Sequence, residues 1–207
     1  MTIKELHDSL YEKDRPKSPK LLMDNYEANL DLISHVDLTN FNDYSYAMRL
    51  TCDYAILLEN SGYFLKGLLY LEEAIERMEN FPNYQKDQLF TIPYYELAVF
   101  HKARAFYNLN NYKDSQLTFE TLHKAFPNNE KYQGWIFRIK VKRYENWLWI
   151  GLGVMLVILI LKTILNGKYP LIDEVCYWIL LLALVSTAIF EIGKRIKLRK
   201  LKRIDVL

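Results

Sequence analysis

The chain has 207 residues, enough for one domain and an appendage. Its net charge of +2 conceals an asymmetry: residues 1–129 carry 13 Lys/Arg against 19 Asp/Glu, and residues 130–207 carry 14 against 6. An acidic front and a basic rear put two parts in different surroundings, and the basic excess is not spread over a soluble face, which argues against nucleic-acid binding. Two distant cysteines, Cys52 and Cys176, exclude a disulfide framework, a metal spacing and a redox pair.

The first residues, MTIKELHDSLYEKDRPKSPK, contain no apolar stretch of signal-peptide type, which predicts a cytoplasmic N-terminus. Residues 2–13 place Ile3, Leu6 and Leu10 on one helical face, and DRPKSPK separates them from the body. This arm is expected to dock on the following helices as a cap; an arm held out for a partner is the alternative. Residues 21–36, LLMDNYEANLDLISHV, read as one amphipathic helix. Strand-like alternation is absent from residues 1–129, and the predicted fold class is all-α.

Two stretches then share a pattern. In residues 48–81, Ala55 precedes Leu58 by three, NSGYF makes a turn containing Gly62, and Gly67 precedes Leu71 by four, followed by Ala74. In residues 99–129, Ala103 precedes Phe106 by three, Leu109 and Tyr112 flank an Asn-Asn turn, Ser115 precedes Phe119 by four, and Pro127 closes the unit. Between them lies PNYQKDQLFTIPYY, which lengthens the next helix or adds a loop and sets the spacing at about 48. The pattern resembles the tetratricopeptide repeat, a helical hairpin of about 34 residues with small residues where its helices cross. Val99, Lys102, Asn110 and Ser115 stand where that family often has Trp, Leu, Gly and Ala. The resemblance covers roughly residues 20–145, with residues 21–36 as a capping element and residues 130–145 in the first-helix slot of a third repeat.

Such repeats bind along a concave wall built from their first helices. Projected onto this chain, the resemblance puts Arg49, Arg104 and Arg138 near that wall, joined by Asn60, Phe100, Tyr107 and Asn108. Arginines with amide and aromatic groups can grip an acidic or C-terminal peptide. An ordinary solvated face is the plainer reading. The Lys/Asn set with which some family members clamp a terminal carboxylate is not evident at the matching positions.

The rear holds two apolar runs. Trp147 to Leu161 and Val175 to Phe190 carry no charge, and each run reaches 19 residues, 147–165 and 175–193, if its terminal charge snorkels. At about 1.5 Å per residue that is roughly 28 Å, close to the hydrocarbon thickness of a bilayer. Trp147, Trp149, Tyr177 and Trp178 sit at the ends, where amphipathic rings favour the interface. Arg138, Lys140, Lys142 and Arg143 precede the first run, and Lys194, Arg195, Lys197, Arg199 and Lys200 follow the second. The positive-inside rule puts both termini in the cytoplasm and the loop NGKYPLIDE outside. From Glu130 to Leu165 there is no Pro, so one helix, or two nearly coaxial ones, should run from the soluble part into the membrane. Gly151 and Gly153 lie level with Ser186 and Thr187, small residues suited to packing within the hairpin, with self-association of hairpins as the alternative. Lys162 near the outer end reads as a snorkelling or paired cation.

The chain is thus predicted to divide into an arm and linker (1–19), a TPR-like helical domain (20–145), a transmembrane helical hairpin (146–193) and a basic cytoplasmic tail (194–207). His7, His35, His101 and His123 stand in no metal spacing, and no Gly-rich phosphate loop exists, so neither catalysis nor a cofactor is expected. The expected function is a membrane-anchored adaptor that binds a protein or peptide at the cytoplasmic face. The basic tail would add attraction to anionic lipids. A membrane-perturbing effector of toxin or defence type, self-assembling through its repeats, is the alternative. The hairpin offers no polar stripe for a water pore, which favours the adaptor. A composition rich in Lys, Asn, Ile and Tyr suggests an AT-rich bacterial genome and so the bacterial inner membrane.

Overall fold

The computed structural model describes residues 1–12, 15–37, 40–82, 84–85 and 88–165, together with 174, 177–178, 181, 187–188, 191–193 and 195. It is predominantly α-helical and falls into two compact units, Met1–Asn128 and Asn129–Leu207.

The first unit begins with helix α1, Ile3–Leu10, which a capping box starts. Thr2 accepts a hydrogen bond from the Glu5 backbone, and the Glu5 carboxylate accepts one from the Thr2 N–H. The expected apolar face, Ile3, Leu6 and Leu10, is buried and also carries His7. The arm docks on helix α4, Phe41–Asn60. Against the expected absence of strands, one short reversal occurs among the described residues, where β1 (Tyr11–Glu12) pairs antiparallel with β2 (Arg15–Pro16) and Lys17 N–H donates to the Leu10 carbonyl.

The amphipathic stretch 21–36 is two helices rather than the expected one: α2, Pro19–Ala28, and α3, Leu30–Ser34. The break falls at Asn29, whose backbone leaves the helical region (φ −122, ψ 26) while its side-chain amide donates to the Asn25 carbonyl at 2.8 Å. Asn offers the chain a local alternative to the helical ladder, and here it takes it. Helix α2 lies on α4, with the Tyr26 ring stacked on Tyr54 at 4.1 Å and the Tyr26 hydroxyl donating to Thr51.

Two helical hairpins follow, α4 with α5 (Phe64–Glu79) and α6 (Pro93–Asn108) with α7 (Tyr112–Ala125). Among the described residues between them stands one 3-10 turn, Leu89–Thr91, followed by Pro93 at the start of α6. The hairpins repeat one another atom for atom at their turns. Ser61, Gly62 and Tyr63 donate to the carbonyls of Leu57, Glu59 and Leu58; Leu109, Asn110 and Asn111 donate to those of Ala105, Tyr107 and Phe106. Both sets close a helix through a Schellman-type reversal. The crossings match as well. A Cβ on Gly67 would meet the backbone of Ala55 and Glu59 at 3.1 Å, so α4 and α5 touch through their main chains. At the same place in the second hairpin the Ser115 hydroxyl donates to the Ala103 carbonyl at 2.8 Å. Leu71 and Phe119 fill the equivalent core positions and are fully buried. Helix α6 packs on both α4 and α5, so the hairpins stack.

The second unit is dominated by α8, Glu130–Leu165, 36 residues without interruption. Its segment Glu130–Ile160 is long and apolar enough to cross a membrane. Trp149, Ile150, Val154, Leu156, Val157 and Ile160 are each more than half exposed, as lipid-facing side chains would be. Of the second run, Tyr177, Trp178, Leu181, Thr187, Ala188, Glu191, Ile192 and Gly193 are described and helical; its other residues and the loop before it lie outside the described residues.

Candidate interaction site

Helices α4 and α6 are the first helices of the two hairpins, and a polar cluster joins them. Glu59 is the penultimate residue of α4, and its side chain is fully buried. His101, Arg104 and Asn108 lie three and four apart on α6 and so share one face. The Glu59 Oε2 atom is 3.0 Å from His101 Nδ1 and 3.5 Å from Arg104 Nη1, while Oε1 accepts from Asn108 Nδ2 at 3.1 Å. The same Arg104 Nη1 reaches the Asn60 Oδ1 atom at 3.5 Å. A buried carboxylate demands partners, and α6 supplies three.

The arrangement fixes the register of α4 against α6 and orients Arg104. Both Arg104 contacts are longer than the 2.7–2.9 Å usual for charge-assisted bonds, so the guanidinium is steered rather than consumed. It keeps a fork of further donors, and its side chain is about one quarter exposed.

Of the residues projected to the wall, Asn60, Arg104 and Asn108 therefore converge on Glu59. Phe100 is buried, edge-on to Phe119 at 5.8 Å, with the Arg104 guanidinium 5.9 Å from its ring. Tyr107 packs its ring against Tyr112 at 5.6 Å. Arg49 stands elsewhere on α4, 4.2 Å over the Tyr11 ring of the docked arm and 5.9 Å from the Tyr94 ring. Around it, Tyr11 donates to Asp53 at 2.6 Å and stacks on His7, whose ring also meets Tyr46. Burial pushes the Asp53 carboxyl above its ordinary range, and the Tyr11 hydrogen bond, Arg49 and His7 oppose that shift. Arg138 is exposed on α8, in the second unit, with its guanidinium 5.1 Å over the Trp135 ring.

Glu59 and His101 escaped the sequence reading, although each carries a signal. An acid in the last turn of a helix opposes the helix dipole, and His101, Arg104 and Asn108 recur at helical spacing, three polar groups on one face that can share an acceptor. Each residue supplies the reason for the other.

In the second unit, no heavy atom of a described residue lies within 4 Å of a Cβ built on Gly151 or Gly153, apart from their own helix and neighbours. Thr187 is helical, and Arg195 is helical and exposed. Ser186, Lys194, Lys197, Arg199 and Lys200 lie outside the described residues, as does the side chain of Lys162. Among the described residues no group of three His, Cys, Asp or Glu could hold a metal ion. Comparison of the chain with family models, with curated proteins and with solved structures gives no match.

Proposed function

We propose that the chain is a membrane-anchored adaptor of tetratricopeptide type, whose stacked hairpins hold a protein or peptide partner at the cytoplasmic face of a membrane, in bacteria the inner membrane. The observation that carries this reading is the repetition at 48-residue spacing of both the turn bonds and the helix crossings. A repeated hairpin stacks its first helices side by side and so exposes a continuous wall of side chains, which is the use such architectures serve. On that wall the Glu59 cluster presents Arg104, Asn60 and Asn108 together, donors and acceptors suited to a polar segment of a partner. Helix α8 and the second apolar run supply the anchor, and the basic tail supplies attraction to the lipid surface.

The test is recovery of partners from membranes in a lipid-preserving detergent, followed by identification of what co-purifies. The wild-type chain should bring down a protein that Arg104→Gln combined with Asn60→Ala fails to retain, with both chains inserted equally. Equal recovery by the two would remove the wall from the function.

A further inference from the structure

Four cations stand on α8 shortly before its long uncharged run: Arg138, Lys140, Lys142 and Arg143. We propose that they form a collar that binds the headgroups of anionic phospholipids, an inference that rests on α8 crossing a membrane. Helical geometry distributes them around the axis. At about 100° per residue, with Arg138 as origin, Lys142 falls near 40°, Arg143 near 140° and Lys140 near 200°. Arg138, Lys140 and Arg143 are exposed, and Lys142 lies 3.6 Å from Glu145. A protein partner meets a helix on one side. Ile139, near 100° in the same projection, is fully buried, and the exposed cations flank that covered stripe. Charges spread over the uncovered arc suit a layer that meets the helix wherever it is exposed, as headgroups do.

Their depth agrees. Arg143 lies four residues and Arg138 nine residues before Trp147, so the collar spans roughly 6 to 13 Å of helix beyond the apolar run. A headgroup region is about 5–8 Å thick on each side of the hydrocarbon, so Lys142 and Arg143 start within it, and Lys140 and Arg138 start beyond its outer edge and meet it through their long side chains. The indole under Arg138 is another group that favours this layer. The charge also selects lipids. Residues 1–129 carry 13 Lys/Arg against 19 Asp/Glu, so the folded front is repelled by an anionic surface, and the collar adds to the attraction that the basic tail provides.

The full chain is reconstituted in nanodiscs of phosphatidylcholine with a minor share of phosphatidylglycerol, and the lipids retained by the protein are counted by native mass spectrometry. Both lipids carry a phosphate, so the comparison reads net headgroup charge. The anionic lipid should be enriched over its bulk share by roughly fivefold, and the enrichment should fall by at least half in the variant with Arg138, Lys140, Lys142 and Arg143 all changed to Gln. Alkaline carbonate extraction shows insertion separately: a wild-type chain that is extracted refutes the membrane reading itself. An inserted wild type with no enrichment, or a variant with undiminished enrichment, overturns the collar. Should the variant fail to insert, the milder Arg138→Gln with Lys140→Gln is read in its place, because the basic tail also attracts anionic lipid in the wild type; undiminished enrichment in it overturns the collar. Wild-type enrichment must also collapse between about 0.1 M and about 1 M salt, where the screening length shrinks from about 10 Å to 3 Å, and persistence at high salt overturns the proposal.

Discussion

Gly62 and Asn110 hold the same left-handed backbone, at φ 87 and 61, and are the two described residues with positive φ. They stand 48 residues apart, each at the point where a first helix turns into a second. Asn tolerates this conformation better than other side-chain-bearing residues, so it can replace glycine at the turn. The Asn110 side chain then accepts a hydrogen bond from the Tyr112 hydroxyl at 2.7 Å, which ties the turn to α7. The repeat is thus conserved within the chain as backbone geometry, while the residues that produce it differ.

The helix crossings offer the most direct test of that geometry. In Gly67→Ala the new methyl meets two backbone groups at 3.1 Å, neither of which can rotate away. In Ala103→Leu the added volume enters a fully buried crossing. Each change should destabilise the first unit by about 1–3 kcal/mol. Hydrogen exchange of the α4 to α7 amides in the detergent-solubilised chain should accelerate accordingly. Protection equal to wild type would mean that these helices do not cross there.

Much of this was legible in the sequence because its causes are local. Thr2, Ser18, Asn40 and Asn111 cap the helices they precede, Pro93 starts another, and the stretch from Glu130 to Leu165 contains nothing that stops one. The small residues Gly67 and Ala103 marked the crossings. What stayed hidden depends on distance. Glu59 and His101 are 42 residues apart, and only the stacking of α6 on α4 makes them neighbours. The two aromatic rings that meet Arg49 come from the arm and from α6, so no pattern within α4 announces them. The helix breaks at Asn29 but not at Asn25, although both side chains donate to the carbonyl four residues back, so residue type alone does not mark the break.

Removing Glu59 should separate its two roles as brace and orienter. Glu59→Ala leaves His101, Arg104 and Asn108 facing a cavity without their acceptor, and breaking such a buried polar set costs about 3–5 kcal/mol. Glu59→Gln keeps the shape and one acceptor, so its cost should stay under about 2 kcal/mol. Denaturant unfolding of both variants checks the order. A Glu59→Ala chain as stable as Glu59→Gln would show that the cluster does not brace α4 against α6.

Asp53 gives a pH dependence of definite sign. Its folded carboxyl is raised above the ordinary 3.8 by burial, against the opposing pull of Tyr11, Arg49 and His7. The folded state therefore holds the proton more firmly than the unfolded state. The resulting contribution is greatest at low pH and is lost as pH rises from 3.8 through the folded value. Asp53→Asn keeps an acceptor for the Tyr11 hydroxyl and removes the charge. The variant should unfold with a flatter pH profile than wild type as pH rises above 3.8, and the arm should remain docked. An unchanged profile would mean that Asp53 is solvated and the arm does not cover it.

Topology can be read with cysteines, because the native Cys52 is silent. It is buried, and burial raises its thiol to about 12, so it carries little thiolate at neutral pH and no reagent reaches it. Cys176, in the second apolar run, is replaced by Ser to clear the background. If both runs cross a membrane, the positive-inside rule applied to the four cations before the first run and the basic stretch after the second expects the loop between the runs on the far side. A cysteine at Tyr169 should then react with a membrane-impermeant thiol reagent in intact cells, and one at Asn128 should react only after the cells are opened. Labelling of Asn128→Cys in intact cells would put the stacked hairpins outside. Labelling at neither position until lysis would show that α8 does not carry the chain across, since the loop would then lie on the same side as the first unit.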